Sequence, residues 1–381
     1  MTAFRQLILV SLVLVSTVGC AAADPRPVSS SVRSFSSRQA DFELEELVTD
    51  LEHAWAFAFL PDGDILITER PGRLWLFDGS QVTEVENLPQ VDPNGQGGLL
   101  DVILHPNYQR NGWIYMSYSS RYDGGFGTAV SRARLSGNRL TDVEQIFRMN
   151  NPTGSGAHFG SRLVFDRDRN LYITIGDRGQ RERAQDPADH AGTLIRLRAD
   201  GSVPGSNPFA SGGEGAAEVF SYGHRNAQGI ALNPDTGAVW LHEHGPQGGD
   251  EINIVNAGEN HGWPTITYGV NYGVGTSIGE GTSAPGLEQP ITYWSPSIAP
   301  SGMAFYTGEQ FPEWEGDLFV GALAGQHLRR VELDGSRVVD QEVLLQGVVG
   351  RVRDVRQGPD GSLYILTDAD RGSLYRLAPA Q

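Results

Sequence analysis

The sequence has no lysine, one cysteine and no long apolar segment. Its 29 lysine-or-arginine positions are therefore all arginines, against 46 acidic residues, and the formal net charge is -17. This acidic balance argues against nucleic acid as a partner, because phosphate binding needs a basic surface. An anionic ligand would have to be bound by guanidinium groups, whose planar shape suits carboxylates.

Residues 1–23 have the pattern of a signal peptide, which predicts an exported protein. Arg5 precedes an apolar run, residues 7–15, that is much shorter than the roughly 20 residues of a membrane-spanning helix. Cys20 cannot form a disulfide within the chain, and its position after small residues suits lipid attachment. Cleavage after residues 21–23 is the other interpretation. The protein is expected in the periplasm or tethered to the cell envelope through a lipid on Cys20.

The rest of the chain divides into a short segment and a long one. Residues 24–40 are rich in Ser, Pro and Arg and are expected to form a flexible tether. In residues 41–381 glycine is abundant, helical periodicity is nearly absent, and a hairpin pattern recurs six times. Each copy has an apolar strand, a turn rich in Pro, Asp, Asn or Gly, and a second β-rich strand. The copies cover residues 56–67, 99–118, 162–175, 230–241, 303–320 and 352–366.

This recurrence predicts that the long segment is one all-β domain, a six-bladed β-propeller. A β-sandwich would show similar strands but more closely spaced turns. In any hairpin, the residues before the first strand and those after the second lie at the same end. One rim should therefore carry the polar loops around Gln96, His158, Asp177, Arg225 and Arg351, whereas the other rim carries mainly turns. The functional site is expected on the first rim.

His158 and Asp177 are candidates for a catalytic pair on that rim. A histidine can act as a base near neutral pH, and a nearby carboxylate can orient it and stabilise its cation. The alternative is structural: His158 would fill a tight rim, and Asp177 would cap the turn after its strand. The residues alone leave both interpretations open.

Three arginines from separate blades, Arg225, Arg351 and Arg353, are expected to converge on the same mouth. Together they would suit a ligand with several carboxylates. The alternative is that each pairs with a local acid, as Arg353 could with Asp354. For three arginines on one rim, the sequence favours the shared ligand.

The segment His242-Glu243-His244 has two histidines on one face of a strand, as zinc sites can. A third ligand at suitable spacing is not evident. The carbonyl groups of Gly245 and Pro246, with the acids Asp250 and Glu251, fit calcium better, because calcium binds backbone and carboxylate oxygens. A glycine-rich loop with solvated acids is the open alternative.

Six segments match a known family in their order and number. They are residues 95–100, 160–165, 174–177, 222–229, 243–246 with 250–253, and 351–355. Together they resemble the soluble aldose sugar dehydrogenases of the glucose/sorbosone dehydrogenase family, which depend on pyrroloquinoline quinone (PQQ) and are six-bladed propellers. The resemblance covers the chain from about residue 42.

The resemblance implies that the protein oxidises the anomeric carbon of aldose sugars to lactones. Hydride would go to PQQ and the electrons to an external acceptor, a cytochrome or a membrane quinone. His158 would be the general base, oriented by Asp177, with Arg225 near the reacting carbonyl of the cofactor. The positions that match the surroundings of the cofactor are Gln96, Arg225, Asn226, Tyr272, Arg351 and Arg353.

The resemblance also implies two calcium ions. The carbonyls of Gly245 and Pro246 would hold the ion that polarises the quinone. Glu251 and the backbone near His261 match a second, structural site, although relatives often have tyrosine at position 261. Another departure is Ala324, where some relatives carry a lysine at the cofactor.

Two other functions compete with the dehydrogenase. A calcium-dependent propeller hydrolase, such as a lactonase, would hold a metal and water but no organic cofactor, and the arginines on the rim count against it. A non-catalytic binding propeller would leave His158 and Asp177 without a shared role.

Overall fold

The computed structural model describes residues 28–29 and 31–380. In this part of the chain, 25 strands form six antiparallel sheets, with only one short α-helix and two 3-10 helices. The innermost strand of each sheet contacts the innermost strand of the next, and the contacts form a closed ring of six. The prediction of an all-β, six-bladed β-propeller is confirmed.

The strands follow the chain around this ring. The first two, β1 (Val32–Ser36) and β2 (Asp41–Leu51), belong to the last blade. Blade 1 contains β3 (Ala54–Phe59), β4 (Ile65–Glu69), β5 (Arg73–Phe77) and β6 (Val82–Glu84), and blade 2 contains β7 (Leu99–Leu104), β8 (Trp113–Tyr122), β9 (Gly125–Ser136) and β10 (Arg139–Arg148). Blade 3 contains β11 (Leu163–Phe165), β12 (Asn170–Ile175), β13 (Thr193–Arg198) and β14 (Val219–Tyr222).

Blade 4 contains β15 (Ala227–Leu232), β16 (Val239–Glu243), β17 (Asp250–Val255) and β18 (Thr292–Trp294). Blade 5 contains β19 (Pro300–Phe305), β20 (Leu318–Ala322), β21 (His327–Asp334) and β22 (Arg337–Leu344). Blade 6 adds β23 (Val352–Gln357), β24 (Leu363–Thr367) and β25 (Gly372–Pro379) to β1 and β2. The helices are α1 (Tyr108–Asn111) and the 3-10 turns Arg181–Gln185 and Pro312–Trp314. The six predicted hairpins are the inner strand pairs of the six blades.

The core lies between neighbouring blades because both faces of each blade are buried. Strand β8 illustrates this arrangement, since its side chains alternate between two clusters. Ile114 and Met116 pack with residues of blade 1, such as Leu66, whereas Tyr115 packs against Phe165 of blade 3. Such strands read as nearly continuous apolar runs, which is why they stand out in the sequence.

Blade 6 joins the two ends of the propeller domain. Strand β2 pairs with β25, and β1 adds a fifth strand on the outside. The ring of Phe35 in β1 stacks on Phe42 at a centroid distance of 5.7 Å, and Phe42 packs against Trp314. The expectation of a flexible tether is therefore wrong for Val32–Ser36. The serine-rich composition gave no sign of this edge strand, which the Phe35 ring anchors.

The predicted signal peptide and Cys20 lie outside the described residues. Among the residues that the structure describes, no helix is both long enough and apolar enough to cross a membrane.

Candidate active site

One cavity opens at the mouth of the central channel, on the rim formed by the loops that precede the innermost strands. All six blades contribute to its wall. It encloses about 630 Å³ of empty space, including its mouth open to solvent. The polar lining side chains include Arg70, Gln96, Asn226, Gln228, His244, Arg351 and Arg353, and the apolar ones Trp55, Leu100, Phe159 and Leu323.

His158 lies beside this cavity and is held by a carboxylate. Its ring Nδ1 is 2.6 Å from Oδ1 of Asp177, and its backbone N–H donates to the Oε1 of Gln96 at 2.8 Å. The backbone has φ 54°, and a Cβ at Gly176 would overlap the His158 carbonyl, so a glycine is required at that position. The imidazole is thus fixed on the rim with its side chain still 16% exposed.

Asp177 is buried and fully engaged. Its Oδ2 accepts a hydrogen bond from the indole Nε1 of Trp263 at 2.8 Å, and its Oδ1 also accepts one from the Gly179 N–H at 2.7 Å. Burial alone would raise the pKa of Asp177, but the contact with His158, the Gly179 N–H and the charge of Arg225 hold that pKa below its ordinary value. The carboxylate is therefore ionised and can stabilise a protonated His158.

The three predicted arginines reach the rim in different ways. Arg353 is buried and pairs with Asp368 at 2.5 Å, and the more exposed Arg351 lies 3.5 Å from the same carboxylate. Arg225 donates to the carbonyl of His244 at 2.9 Å. Arg351 and Arg353 line the central cavity, and Arg225 lines the small cavity next to it.

The alternative given by the sequence paired Arg353 with Asp354. The structure pairs Arg353 with Asp368 instead. Asp354 pairs with Arg162 at 2.9 Å and with Arg356 at 2.9 Å, below the rim. Buried Arg162 also donates to the carbonyl of Arg353 at 2.8 Å and lies over the ring of Trp55. This network fixes the floor of the cavity.

Several residues of the site escaped the sequence reasoning, namely Trp263, Asp368 and the buried pair Arg162 and Asp101. Asp101 offered a signal, because it is a charged residue inside the apolar run of β7. A charge in such a position is seldom buried without a partner. Asp368 offered a positional signal, because it directly follows the second strand of a predicted hairpin, whereas Trp263 gave none.

The predicted metal residues are only partly brought together. Gly245, Glu251 and His261 line one small cavity with Glu243, whereas Pro246 is not part of its wall. Among the described residues, no group of three or more His, Cys, Asp or Glu side chains could hold a metal. Any ion here would need backbone oxygens, as calcium accepts.

The chemistry of this small cavity fits a cation. Burial, followed by the charge of Glu243, raises the pKa of Glu251 to about 8, and the amide nitrogen of Asn253 lies 3.3 Å from an oxygen of each acid. The buried Asn253 Oδ1 has no hydrogen-bond partner in the described structure. Glu243 already accepts a hydrogen bond from the Arg225 N–H and lies 3.0 Å from the Nδ1 of His224, so Glu251 and the unpaired Asn253 oxygen are the candidate donors for a divalent cation.

The histidines of the His242-Glu243-His244 segment are occupied elsewhere. The Nε2 atoms of His242 and His244 lie 3.1 Å and 2.8 Å from the carbonyls of Gly302 and Pro300. Burial lowers the pKa of His242 to about 3. Both rings therefore act as neutral hydrogen-bond donors between blades 4 and 5, which agrees with setting the zinc interpretation aside.

Tyr272 lies apart from the central cavity. It is 66% exposed, on the long connection between β17 and β18, and is not part of the cavity wall. The neighbouring Gly273 N–H donates to the Oε1 of Gln247 at 3.1 Å, which ties the loop to the residue after Pro246. Contact between Tyr272 and a ligand stays a prediction. Ala324 is exposed next to Leu323, a residue of the cavity wall.

Known proteins resemble this chain over most of its length. The chain is 44% identical over 347 residues to "Aldose sugar dehydrogenase YliI" of Escherichia coli, covering 89% of this chain and 94% of that protein. A crystal structure of the soluble aldose sugar dehydrogenase from Escherichia coli in the apo-form matches with a TM-score of 0.86 at 44% identity, over 89% of this chain and 100% of that one.

A more distant solved structure carries a cofactor. It is the PQQ-bound form of an aldose sugar dehydrogenase from Streptomyces coelicolor, with a TM-score of 0.72 and 27% identity over 92% of this chain and 99% of that chain.

The family model described as "Glucose / Sorbosone dehydrogenase" matches residues 51–376, from before β3 into β25. The chain therefore belongs to the glucose/sorbosone dehydrogenase family.

Proposed function

We propose that the protein is a PQQ-dependent aldose dehydrogenase that oxidises the anomeric carbon of a sugar to a lactone and passes the electrons to an external acceptor. The observation that carries this proposal is the His158–Asp177 pair, which stands beside a cavity lined by several arginines. The names of the related Escherichia coli and Streptomyces coelicolor proteins support the sugar substrate, and the PQQ-bound structure supports the cofactor.

The cavity wall fits PQQ, a planar molecule with three carboxylates. Arg351 and Arg353 offer guanidinium groups, and the buried Nε of Arg353 has no partner within the described structure. The amides of Gln96 and Asn226 face the same space. Guanidinium and amide donors in one wall are what a flat polycarboxylate requires. When bound, PQQ supplies the hydride-accepting quinone, a chemistry that no side chain provides.

The residues of the chain would handle the proton. The Nε2 of His158 takes the proton from the anomeric hydroxyl, while the hydrogen on the same carbon leaves as hydride and the sugar becomes a lactone. The ionised Asp177 stabilises the resulting imidazolium through the Nδ1 contact of 2.6 Å. Trp263 keeps the second oxygen of Asp177 occupied, so the carboxylate presents one fixed oxygen to the ring.

The protein is proposed to bind calcium at two positions. The carbonyls of Gly245 and Pro246 would hold the ion beside the cofactor, where a divalent cation polarises a bound carbonyl. Glu251, with the backbone near His261, would hold a second ion in the small cavity of blade 4. The raised pKa of Glu251 and the unpaired oxygen of Asn253 support that second position.

The test is dye-linked oxidation of a panel of aldoses by the apoprotein, with PQQ and calcium supplied separately and together. Activity is expected only when both are present, and the panel then ranks the substrates. If no aldose is oxidised and PQQ binding leaves no spectral trace, the dehydrogenase proposal is wrong.

We further propose that the reaction takes place outside the cytoplasm, in the periplasm or at the cell envelope, with a cytochrome or a membrane quinone as the acceptor. The pattern of residues 1–23 supports this location. Cell fractionation of the untagged full chain and of a Cys20→Ala variant tests it. The activity should be extracytoplasmic, and the variant should lose membrane association only if Cys20 is lipidated.

A further inference from the structure

We propose that Arg70 binds a carboxylate of the cofactor in the central cavity, an inference that rests on the proposed PQQ-dependent function. Arg70 directly follows β4, and it is one of the residues that line both the central cavity and an adjoining open pocket. It belongs to none of the segments through which the chain resembles its family. Blade 1 thereby contributes a cation to the ring of ligand-binding loops.

The stem of Arg70 is held in place by its neighbours. Its backbone N–H donates to the carbonyl of His53 at 3.1 Å, and its carbonyl accepts from the Leu99 N–H at 3.2 Å. A Cβ at Gly98 would overlap the carbonyl oxygen of Arg70 and lie 2.7 Å from its Cγ. The backbone of blade 2 therefore packs directly on Arg70 and fixes the position of its backbone and first side-chain carbons.

The guanidinium group of Arg70, by contrast, is not engaged. In the described part of the chain it forms no ion pair and no side-chain hydrogen bond. Asp370 lies in the same open pocket but pairs with His53 at 3.1 Å. A cation with a fixed stem and free donors is prepared for an incoming anion.

The other arginines at the mouth already have partners within the protein. Arg351 and Arg353 share the single negative charge of Asp368, whose other oxygen lies 2.9 Å from the Nδ1 of His53. Arg225 donates to a backbone carbonyl. Position 324 supplies no charge, and the chain has no lysine. Among the arginines of the central cavity wall, Arg70 is therefore the one that pairs with no carboxylate of the described residues.

The experiment is a spectroscopic titration of calcium-loaded apoprotein with PQQ, without sugar or dye, so that binding is measured apart from turnover. Arg70→Ala should raise the dissociation constant of PQQ at least about tenfold, the usual order for losing one charge-assisted contact. Arg70→Lys should recover part of that loss. The matched control is Arg371→Ala, because Arg371 lines the same open pocket but pairs with Asp50 on the surface. This control should bind PQQ as the wild type does.

Thermal melting of the apoproteins separates binding from folding. Arg70→Ala should have the melting temperature of the wild type, since the guanidinium group that it removes pairs with no other group of the described residues. If it melts lower, Arg70→Gln replaces it, and the same weakening of PQQ binding is expected. Wild-type affinity in a folded Arg70 variant would overturn this inference alone. A wild-type protein that binds no PQQ would overturn the proposed function and this inference with it.

Discussion

The Nδ1 of His158 lies 2.6 Å from the Oδ1 of Asp177, while the other oxygen of that carboxylate accepts a hydrogen bond from Trp263. The carboxylate is buried, and the imidazole stands at the edge of the cavity. One nitrogen of the ring is thus committed to a fixed negative charge, and the other is left for a substrate. The pair therefore has the geometry that a general base and its orienting carboxylate require.

Replacing His158 by alanine should remove turnover without removing the cofactor. The imidazole is the proposed base but not part of the cavity wall, so kcat should fall by about 10² to 10⁴, the usual range for a general base. The dissociation constant of PQQ, measured by titration, should change little. A variant with normal kcat would contradict the role of His158, and one that cannot bind PQQ would indicate a structural role instead.

The variant Asp177→Asn should impair turnover while keeping the shape of the site. A neutral amide cannot stabilise an imidazolium, and it favours the wrong tautomer of His158. We expect kcat to fall by at least about 10², with KM for the sugar nearly unchanged. Steady-state kinetics over a range of sugar concentrations separates the two constants. A change confined to KM would argue that Asp177 shapes the sugar site rather than the base.

Asp177 should also leave a signature in the pH dependence of stability. Its pKa is held below the ordinary value of 3.8, so the ionised group stabilises the fold above that value. The contribution is lost as the pH falls below about 3.8 and through the lower pKa of the folded protein. Thermal melts should therefore decline more steeply at acidic pH for the wild type than for Asp177→Asn. If the melting temperatures of the two proteins fall in parallel with pH, the contacts of Asp177 do not lower its pKa.

Trp263 is predicted to act by positioning Asp177. In Trp263→Phe, the Oδ2 of Asp177 loses its indole donor, so kcat should drop about tenfold and the pH-rate profile should shift to higher pH. The matched control is Trp294→Phe in blade 4, which removes a hydrogen bond to Gln341 of blade 5 and lies outside the cavity wall. Equal effects of the two variants on kcat would mean that the indole of Trp263 serves packing alone.

Calcium removal should destabilise the protein through the acids of blade 4. Chelation is expected to lower the melting temperature, and added calcium should restore it better than magnesium, because calcium accepts flexible oxygen coordination whereas magnesium requires a near-octahedral one. Glu251→Gln should weaken that calcium response. Glu288→Gln, an exposed position on the following loop, is the control and should keep it. A full calcium response in Glu251→Gln would exclude Glu251 as a ligand.

The blades were predictable because each inner hairpin joins two apolar strands through a Pro, Asp, Asn or Gly turn. Strand β1 was not, since one phenylalanine among serines carries no periodic pattern, and its order depends on stacking against Phe42. Hairpin geometry also placed Gln96, Arg351 and Arg353 at one mouth. The same rule places Asp368, the residue after β24, at that mouth, but it could not reveal that its carboxylate pairs with both arginines, because that depends on side-chain conformation.

Residues on long connections were the hardest to place. Tyr272 and Trp263 both belong to the connection between β17 and β18, whose path follows no repeat. The structure buries Trp263 against Asp177 and leaves Tyr272 exposed. Neither outcome can be read from local composition, because tertiary contacts decide the conformation of such a loop.

In the proposed reaction, sugar oxidation reduces a quinone held in the central cavity. The most direct test is to load the apoprotein with PQQ and calcium, add an aldose without oxygen or dye, and record the cofactor spectrum. We expect conversion to the spectrum of the reduced cofactor within one turnover in the wild type, and a conversion at least about 10²-fold slower in His158→Ala. An unchanged spectrum with every aldose, in protein that demonstrably holds PQQ, would contradict it.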